Sequence, residues 1–350
     1  MSGPNAAPIG VGILGAGRAN IATNQHVPAC GRSGKVRVVA LCDRLGSVKE
    51  YAGQCGAKAY TDYDAMLADA DVEMVQVATP DWCHCDHALA ALSAGKHVLL
   101  QKPPCISMDE LDRLRRAAAE GALKICLNNR ERRLSRTIRK HLDDGTIGEV
   151  RHVRINSRGH RYPIPDPDHP YLKGALGGVW VHNALHWLDE AFFYADSRPG
   201  SVQVFTARNA NGPPEVLGEG PNYWSACFEM GEQVTFRMEY NTMLLKDGLP
   251  GGMARRLIGT KGEIRHAYGS ADLVLYREGE EEPTALELLD ADLSEAEDVV
   301  DSFRRAIDAF IDQIRDGEER PPRVEDSLLL MEALLRTKDV QQRVELEVSS

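Results

Sequence analysis

Ile9-Gly-Val-Gly-Ile-Leu-Gly15-Ala-Gly17-Arg-Ala-Asn20 and, one helical stretch later, Val36-Arg-Val-Val-Ala-Leu-Cys-Asp43 carry the reading of the fold. Each begins as a short, β-branched, nearly continuous apolar run, the pattern of a strand covered on both faces in a parallel sheet. The pattern recurs at Val72 to Ala78, His97 to Leu100 and Lys124 to Leu127. Helical patterns fall between the runs, at about 19–30, 47–54, 64–69, 84–94 and 108–120. Strand and helix in alternation, joined by right-handed crossovers, give a doubly wound α/β domain.

Beyond about Arg130 the texture changes. A helix over 134–143 leads through Gly145-Thr-Ile-Gly148 to a strand at Val150. Further strands are expected at 202–207, 224–230, 234–240, 255–259, 263–267 and 273–276, with hairpin turns at Met230-Gly-Glu232 and Thr260-Lys-Gly262. Helices return over 298–315 and 324–340, followed by a short strand at 344–348. The expected architecture is an N-terminal Rossmann domain over 1–128, then an α+β domain over 129–350 with a large, mainly antiparallel open sheet.

Forty-one basic against 52 acidic residues leave a net charge of −11, so no overall positive field draws nucleic acid or anionic lipid. The most apolar stretch, around 177–194, is broken by His182, Asn183, His186, Asp189 and Glu190, which argues against a transmembrane helix. The Ile9 to Leu14 run is short and lacks a charged leader, unlike a secretory signal. Eight scattered cysteines read as reduced thiols, so the expected location is cytoplasmic.

Gly15-Ala-Gly17-Arg18-Ala19-Asn20 sits where a strand turns into a helix. Bare backbone there lets a pyrophosphate approach the helix N-terminus, whereas a tight turn without a ligand is the plainer alternative. Asp43, at the end of the second strand, is placed to accept ribose hydroxyls and to repel a 2′-phosphate. This favours NAD, with NADP as the alternative because Arg44 is adjacent. Thr79-Pro80 and Gln101-Lys102-Pro103-Pro104 end the next two strands, on the edge where open α/β sheets bind ligands; a surface ammonium is the alternative for Lys102. The cluster Cys83-His84-Cys85-Asp86-His87 invites a zinc reading. Adjacent ligands cannot wrap one tetrahedral ion, and no second C-x-x-C pair exists, so no metal is expected. His182 and His186 lie four apart on one helix face, with Asp189 beyond, and fit either core histidines, a metal pair or an acid/base group with a partner.

The ordered set G-x-G, Asp43, Thr79-Pro-Asp-x-x-His84, Ala94-Gly-Lys-His97, Lys102-Pro103, Gly145-x-x-Gly148, Gly177-Gly178 to His186-x-x-Asp189, and Gly259-Thr-Lys-Gly262 resembles the glucose-fructose oxidoreductase and inositol dehydrogenase family (Gfo/Idh/MocA) over residues 9–348. The resemblance implies NAD(P)-dependent hydride transfer to or from a secondary alcohol or ketone of a sugar, cyclitol or glycoside. It also implies a homodimer or homotetramer. Lys102 matches the lysine at the reacting oxygen and His186 the acid/base histidine, with His182 as a third catalytic candidate.

Gly15, Gly17, Arg18, Ala19, Asn20, Asp43, Arg44, Thr79, Pro80, His84, Gln101 and Lys102 are the expected cofactor contacts. Arg158, His160, Arg161, Tyr162, Trp180 and His182 are the expected substrate contacts, although an interface loop also explains 158–162. Three residues depart from the family pattern: Gln101 replaces the usual Glu, Asn20 the third Gly, and His182 an Asp common in the family. A second imidazole disfavours a positive charge on His186, where an Asp favours it. Some relatives use NAD for redox-assisted glycoside cleavage as hydrolases or lyases, and others are non-catalytic NAD-binding regulators. Retention of both Lys102 and His186 counts against the regulator.

Overall fold

The computed structural model describes residues 7–119, 122–158, 178–207, 223–241, 252–337 and 343–345. The chain divides into two compact units.

The first unit, Met1–Arg132 with Asp292–Met331, is built on a six-stranded parallel sheet. Its strands are β1 (Ile9–Leu14), β2 (Val36–Cys42), β3 (Lys58–Tyr60), β4 (Met74–Val77), β5 (His97–Gln101) and β6 (Leu123–Cys126), in the order β3-β2-β1-β4-β5-β6. That is the 3-2-1-4-5-6 order of a dinucleotide-binding sheet, with its topological switch point between β1 and β4. The helices are α1 (Val27–Arg32), α2 (Val48–Cys55), α3 (Tyr63–Leu67), α4 (His84–Ser93) and α5 (Met108–Ala118). The helix expected at 19–30 is in fact a π-helical turn over Ala22–His26 that runs on into α1. Strand β3 was not anticipated: three residues, mostly exposed, carry too little apolar pattern.

The first unit runs to Arg132 and takes in Asp292–Met331 as well. The long helix α8 (Glu295–Asp316) belongs to the first unit, where Phe303, Ile307, Phe310 and Ile311 join one core with Val11, Ile13, Leu41 and Leu99. An amphipathic stripe fits any apolar sheet face, so periodicity alone does not name the sheet that α8 covers. A capping box between Ser294 and Glu297 starts it and Gly317, at φ +76°, ends it.

The second unit, Arg133–Ala291 with Glu332–Ser350, holds a nine-stranded sheet. Its strands are β7 (Val150–Arg158), β8 (Pro199–Ala207), β9 (Tyr223–Met230), β10 (Val234–Asn241), β11 (Gly252–Gly259), β12 (Gly262–His266), β13 (Leu273–Arg277), β14 (Thr284–Leu286) and β15 (Arg343–Glu345). The order is β14-β13-β12-β11-β7-β10-β9-β8-β15. All pairs are antiparallel except central β7, which runs parallel to β10. Alternating burial along β9 and β10 turns one face to the core, and Phe228 stacks there on Phe236. Helices α6 (Arg133–Asp143) and α7 (Gly178–Ala195) belong to this unit. Helix α9 (Val324–Thr337) is divided between the two units.

Glu190 on α7 and Arg255 on β11 form a buried ion pair (2.8 Å), and Ser135 Oγ donates to the same carboxylate at 2.7 Å. No helix among the described residues is long and apolar enough to cross a membrane.

Candidate active site

The loop after β1 lies at the switch point of the first sheet. Gly15 takes φ +98°, and a Cβ there would stand 2.5 Å from Ala78 O, at the end of β4. A Cβ on Gly17 would stand 2.4 Å from Asp43 Cγ. Backbone therefore occupies both positions where a side chain would collide. Asp43 Oδ2 accepts the Gly17 N–H at 3.0 Å, Oδ1 accepts the Leu45 N–H at 2.9 Å, and Ser47 Oγ donates to Gly17 O at 2.5 Å. Asp43 thus braces the glycine loop, and each of its oxygens keeps a second lone pair for a ribose hydroxyl.

Asn20, the departure from the third glycine, caps the following helix. Its Nδ2 donates to Gly15 O at 2.8 Å, and its Oδ1 accepts the Ala22 and Thr23 N–H groups at 2.9 and 3.4 Å. An asparagine here supplies both halves of the turn: it ties the loop back to β1 and satisfies the first helical amides. Arg18, Ala19, Arg44 and Pro80 are exposed around this edge, and Thr79 is half-buried with its Oγ1 3.1 Å from His87 Nδ1. Bare glycine backbone, a braced carboxylate and a strand-to-helix turn fit a dinucleotide's pyrophosphate and ribose.

Lys102 sits just past β5, at the same carboxyl edge, and is buried. Burial pulls its ammonium down from 10.5 to about 8, against the opposing pull of Asp81. A lysine so poised near neutral pH is a candidate for proton chemistry or for stabilising a developing oxyanion.

Two expected cofactor contacts, His84 and Gln101, have their polar atoms engaged within the unit. His84 is buried with both ring nitrogens engaged: Nδ1 lies 2.7 Å from Pro103 O and Nε2 2.7 Å from Thr79 O. Burial lowers its pKa below the ordinary 6.5, and Lys102 acts in the same sense, against the pull of Asp81 and the two carbonyls toward the cation. Gln101 is buried too, and both ends of its amide are used. Its Nε2 lies 2.8 Å from His26 Nε2, and its Oε1 accepts the Lys102 N–H at 3.3 Å.

Behind Gln101 runs a buried polar chain that the sequence reading missed. His26 Nδ1 donates to Gln76 Oε1 at 2.6 Å, and Gln76 Nε2 donates to Cys30 Sγ at 3.3 Å. Burial lowers His26 to about 4, so the ring is neutral. The available signal was two polar residues in apolar settings, Gln76 in the middle of β4 and His26 at a helix joint. The Cys83–His87 cluster is also accounted for: Asp86 pairs with Arg113 at 2.7 Å and Cys85 donates to Glu110 O at 3.6 Å. Among the described residues no group of three His, Cys, Asp or Glu stands close enough to hold a metal ion.

In the second unit, His182 and His186 are half-buried on α7, among fully buried Val181, Leu185 and Leu188. The helix therefore presents both imidazoles along one edge of its buried face, with Asp189 buried beyond them. Trp180, expected as a substrate contact, is 0% exposed, stacked on Trp224 at 5.8 Å, with its indole N–H donating to Thr337 Oγ1 at 3.2 Å. Arg158 ends central β7, opposite Asn241 and Gly252. His160, Arg161 and Tyr162 lie outside the described residues.

Two family models match this chain. An oxidoreductase family with an NAD-binding Rossmann fold covers residues 9–128, and the GFO/IDH/MocA C-terminal domain covers residues 135–265. The chain belongs to the Gfo/Idh/MocA family.

As a Gfo/Idh/MocA member it is 31% identical over 215 residues to inositol 2-dehydrogenase of Rhizobium meliloti, a match spanning 61% of this chain and 62% of that protein. It is 28% identical over 199 residues to D-glucoside 3-dehydrogenase of Escherichia coli, spanning 55% of each. The matched stretch thus spans about half to three-fifths of these curated relatives. An oxidoreductase from Agrobacterium radiobacter, solved with NAD+, L-tartaric acid and magnesium, superposes with a TM-score of 0.80 at 21% identity, covering 97% of this chain and 98% of that one, and so shares the fold. The first unit of this Gfo/Idh/MocA protein is an NAD-binding Rossmann fold.

Proposed function

We propose that the chain is an NAD(P)-dependent dehydrogenase acting on a secondary alcohol or ketone of a sugar, cyclitol or glycoside. The observation that carries this reading is Lys102, a buried lysine pulled to about 8 at the carboxyl edge of the family's NAD-binding unit. The relatives named inositol and glucoside dehydrogenases point to the substrate class.

In this reading Gly15, Gly17, Arg18, Ala19 and Asn20 hold the pyrophosphate, Asp43 takes the ribose, and Arg44, Thr79 and Pro80 border the same edge. NAD, when bound, supplies the nicotinamide that accepts or returns a hydride. Lys102 Nζ donates to the substrate oxygen and stabilises the negative charge that develops there during oxidation. A ring nitrogen of His186 removes the hydroxyl proton and returns it during reduction, and His182 tunes that ring's charge. Arg158, His160, Arg161 and Tyr162 orient the polyol.

Eight free cysteines, five of them buried, support a reducing, cytoplasmic setting, and the family resemblance supports a homodimer or homotetramer.

The test is a panel of sugars, cyclitols and aryl glycosides with NAD+ or NADP+, read by nicotinamide absorbance and by product analysis together. Reduced cofactor accumulating in step with ketone product is expected. Aglycone release at constant cofactor absorbance would instead identify redox-assisted glycoside cleavage, and no turnover with any polyol would remove the dehydrogenase reading.

A further inference from the structure

His84 opens α4, three residues after Asp81 in the strand-end turn that also carries Thr79, and its ring reaches across to the segment after β5. Both ring nitrogens stand 2.7 Å from backbone carbonyl oxygens, Nδ1 from Pro103 O and Nε2 from Thr79 O. A carbonyl oxygen has lone pairs and no hydrogen, so it can only accept. A neutral imidazole has one N–H. It would therefore leave a bare nitrogen lone pair facing an oxygen lone pair at 2.7 Å, out of reach of water, at the cost of an unsatisfied buried acceptor pair. Amide orientation offers no escape, because neither partner is a side chain that can flip.

We propose that His84 is a buried imidazolium whose two N–H groups clamp Thr79 O and Pro103 O, and that this clamp makes His84 the positioning residue for Lys102. The first carbonyl belongs to the β4 turn; the second belongs to the residue directly after Lys102. One ring therefore fixes the separation of two strand-end segments at the carboxyl edge of the sheet, both of which carry candidate site residues.

The charged groups facing the ring are Asp81 on its own turn, Lys102 beyond the clamp, and His87 one helical turn on. Asp81 is buried and supplies the negative charge that a buried cation needs. His84 and Lys102 then share Asp81, so each cation disfavours the other. Losing the charge on His84 makes Lys102 easier to protonate.

The catalytic consequence rests on the reading of Lys102 given above; the charge state of His84 does not. The first experiment is 15N NMR of the full chain with labelled histidine at neutral pH, with the His84 signals identified by their absence in His84→Gln. Two protonated ring nitrogens are expected, and one unprotonated nitrogen overturns the proposal.

The second experiment compares the pH profiles of turnover for the wild type and His84→Gln with NAD+ and the active polyol. Gln carries no charge, and its two N–H donors sit on a single nitrogen, where the imidazolium sets one on each side of the ring. Turnover is expected to fall at least tenfold, with the alkaline limb moving to higher pH. A drop in thermal midpoint with the limb unmoved means that His84 only packs, and overturns the positioning role. Full turnover in Lys102→Met would instead overturn the Lys102 reading, while the NMR result would stand unaffected.

Discussion

Replacing Lys102 with methionine separates a working ammonium from a structural one. The lysine is buried and its ammonium is pulled from 10.5 to about 8, chiefly by loss of hydration. At about 1.4 kcal/mol per pH unit, carrying that charge at neutral pH costs the fold about 3 kcal/mol. Methionine keeps the unbranched stem and drops the charge, so Lys102→Met is expected to raise unfolding stability at pH 7 by about 2–3 kcal/mol.

The sign has a pH signature. The unfolded chain holds the Lys102 proton up to about 10.5 and the folded chain only up to about 8, so between those values the unfolded state binds more protons and wild-type stability climbs with pH. The gain from the variant is therefore full below pH 8 and nearly gone by pH 10.5. Urea unfolding of both proteins across this range, without cofactor, measures it. In the same variant turnover is expected to fall by about two to four orders of magnitude, the usual weight of a proton-handling or charge-stabilising group. A variant less stable than wild type at pH 7 would refute the argument, since it would mean that Asp81 holds the ammonium more firmly than hydration did. Unchanged turnover would remove Lys102 from the chemistry.

Three further outcomes follow from distances. Gly17→Ala sets a Cβ 2.4 Å from Asp43 Cγ, so the brace must move at a cost of about 1–3 kcal/mol; calorimetric titration should show NAD+ binding weakened roughly tenfold or more, and unchanged affinity would contradict the loop assignment. Glu190→Gln strands buried Arg255 and should lower stability by about 3–5 kcal/mol in urea, whereas Glu190→Leu with Arg255→Met should recover most of it; a double variant no better than the single would contradict this. Gln101→Glu removes the donor that faces His26 Nε2, so the ring must protonate that nitrogen; 15N NMR should show His26 leaving its Nδ1–H tautomer, and persistence of that tautomer would show the chain of amides to be wrongly oriented.

The Rossmann half was legible because buried parallel strands repeat one pattern: β1, β2 and β5 lie within a residue of the expected spans. The start of β7 at Val150 was legible and its end at Arg158 was not, because polar Asn156 and Ser157 interrupt the apolar alternation. The fate of α8 was not legible, since its stripe of Phe303, Ile307 and Phe310 states that it covers a sheet and not which one. Among candidate site residues, the placement of Gly15, Gly17 and Asp43 was readable because backbone approach and strand-end position are local properties. The burial of Trp180 was not legible, because one aromatic beside a candidate site residue looks the same whether its ring meets solvent or, as here, Trp224.

His26 and His84 show what position in sequence cannot supply and geometry can. Both are buried, and hydration alone would make both neutral. His26 meets one group that only accepts, Gln76 Oε1, and one that can donate, Gln101 Nε2, which is the complement of a neutral ring. His84 meets two groups that only accept, which is the complement of a charged one. The difference lies in partners drawn from β4, β5 and the turns beyond them, up to 75 residues away in the chain. A neutral brace on the Gln101 side and a charged clamp on the Pro103 side then bracket Lys102 from both neighbours and restrict the segment that carries it. That arrangement leaves the charge of Lys102 adjustable by the protonation of its surroundings, which is what a group working near its own titration point requires.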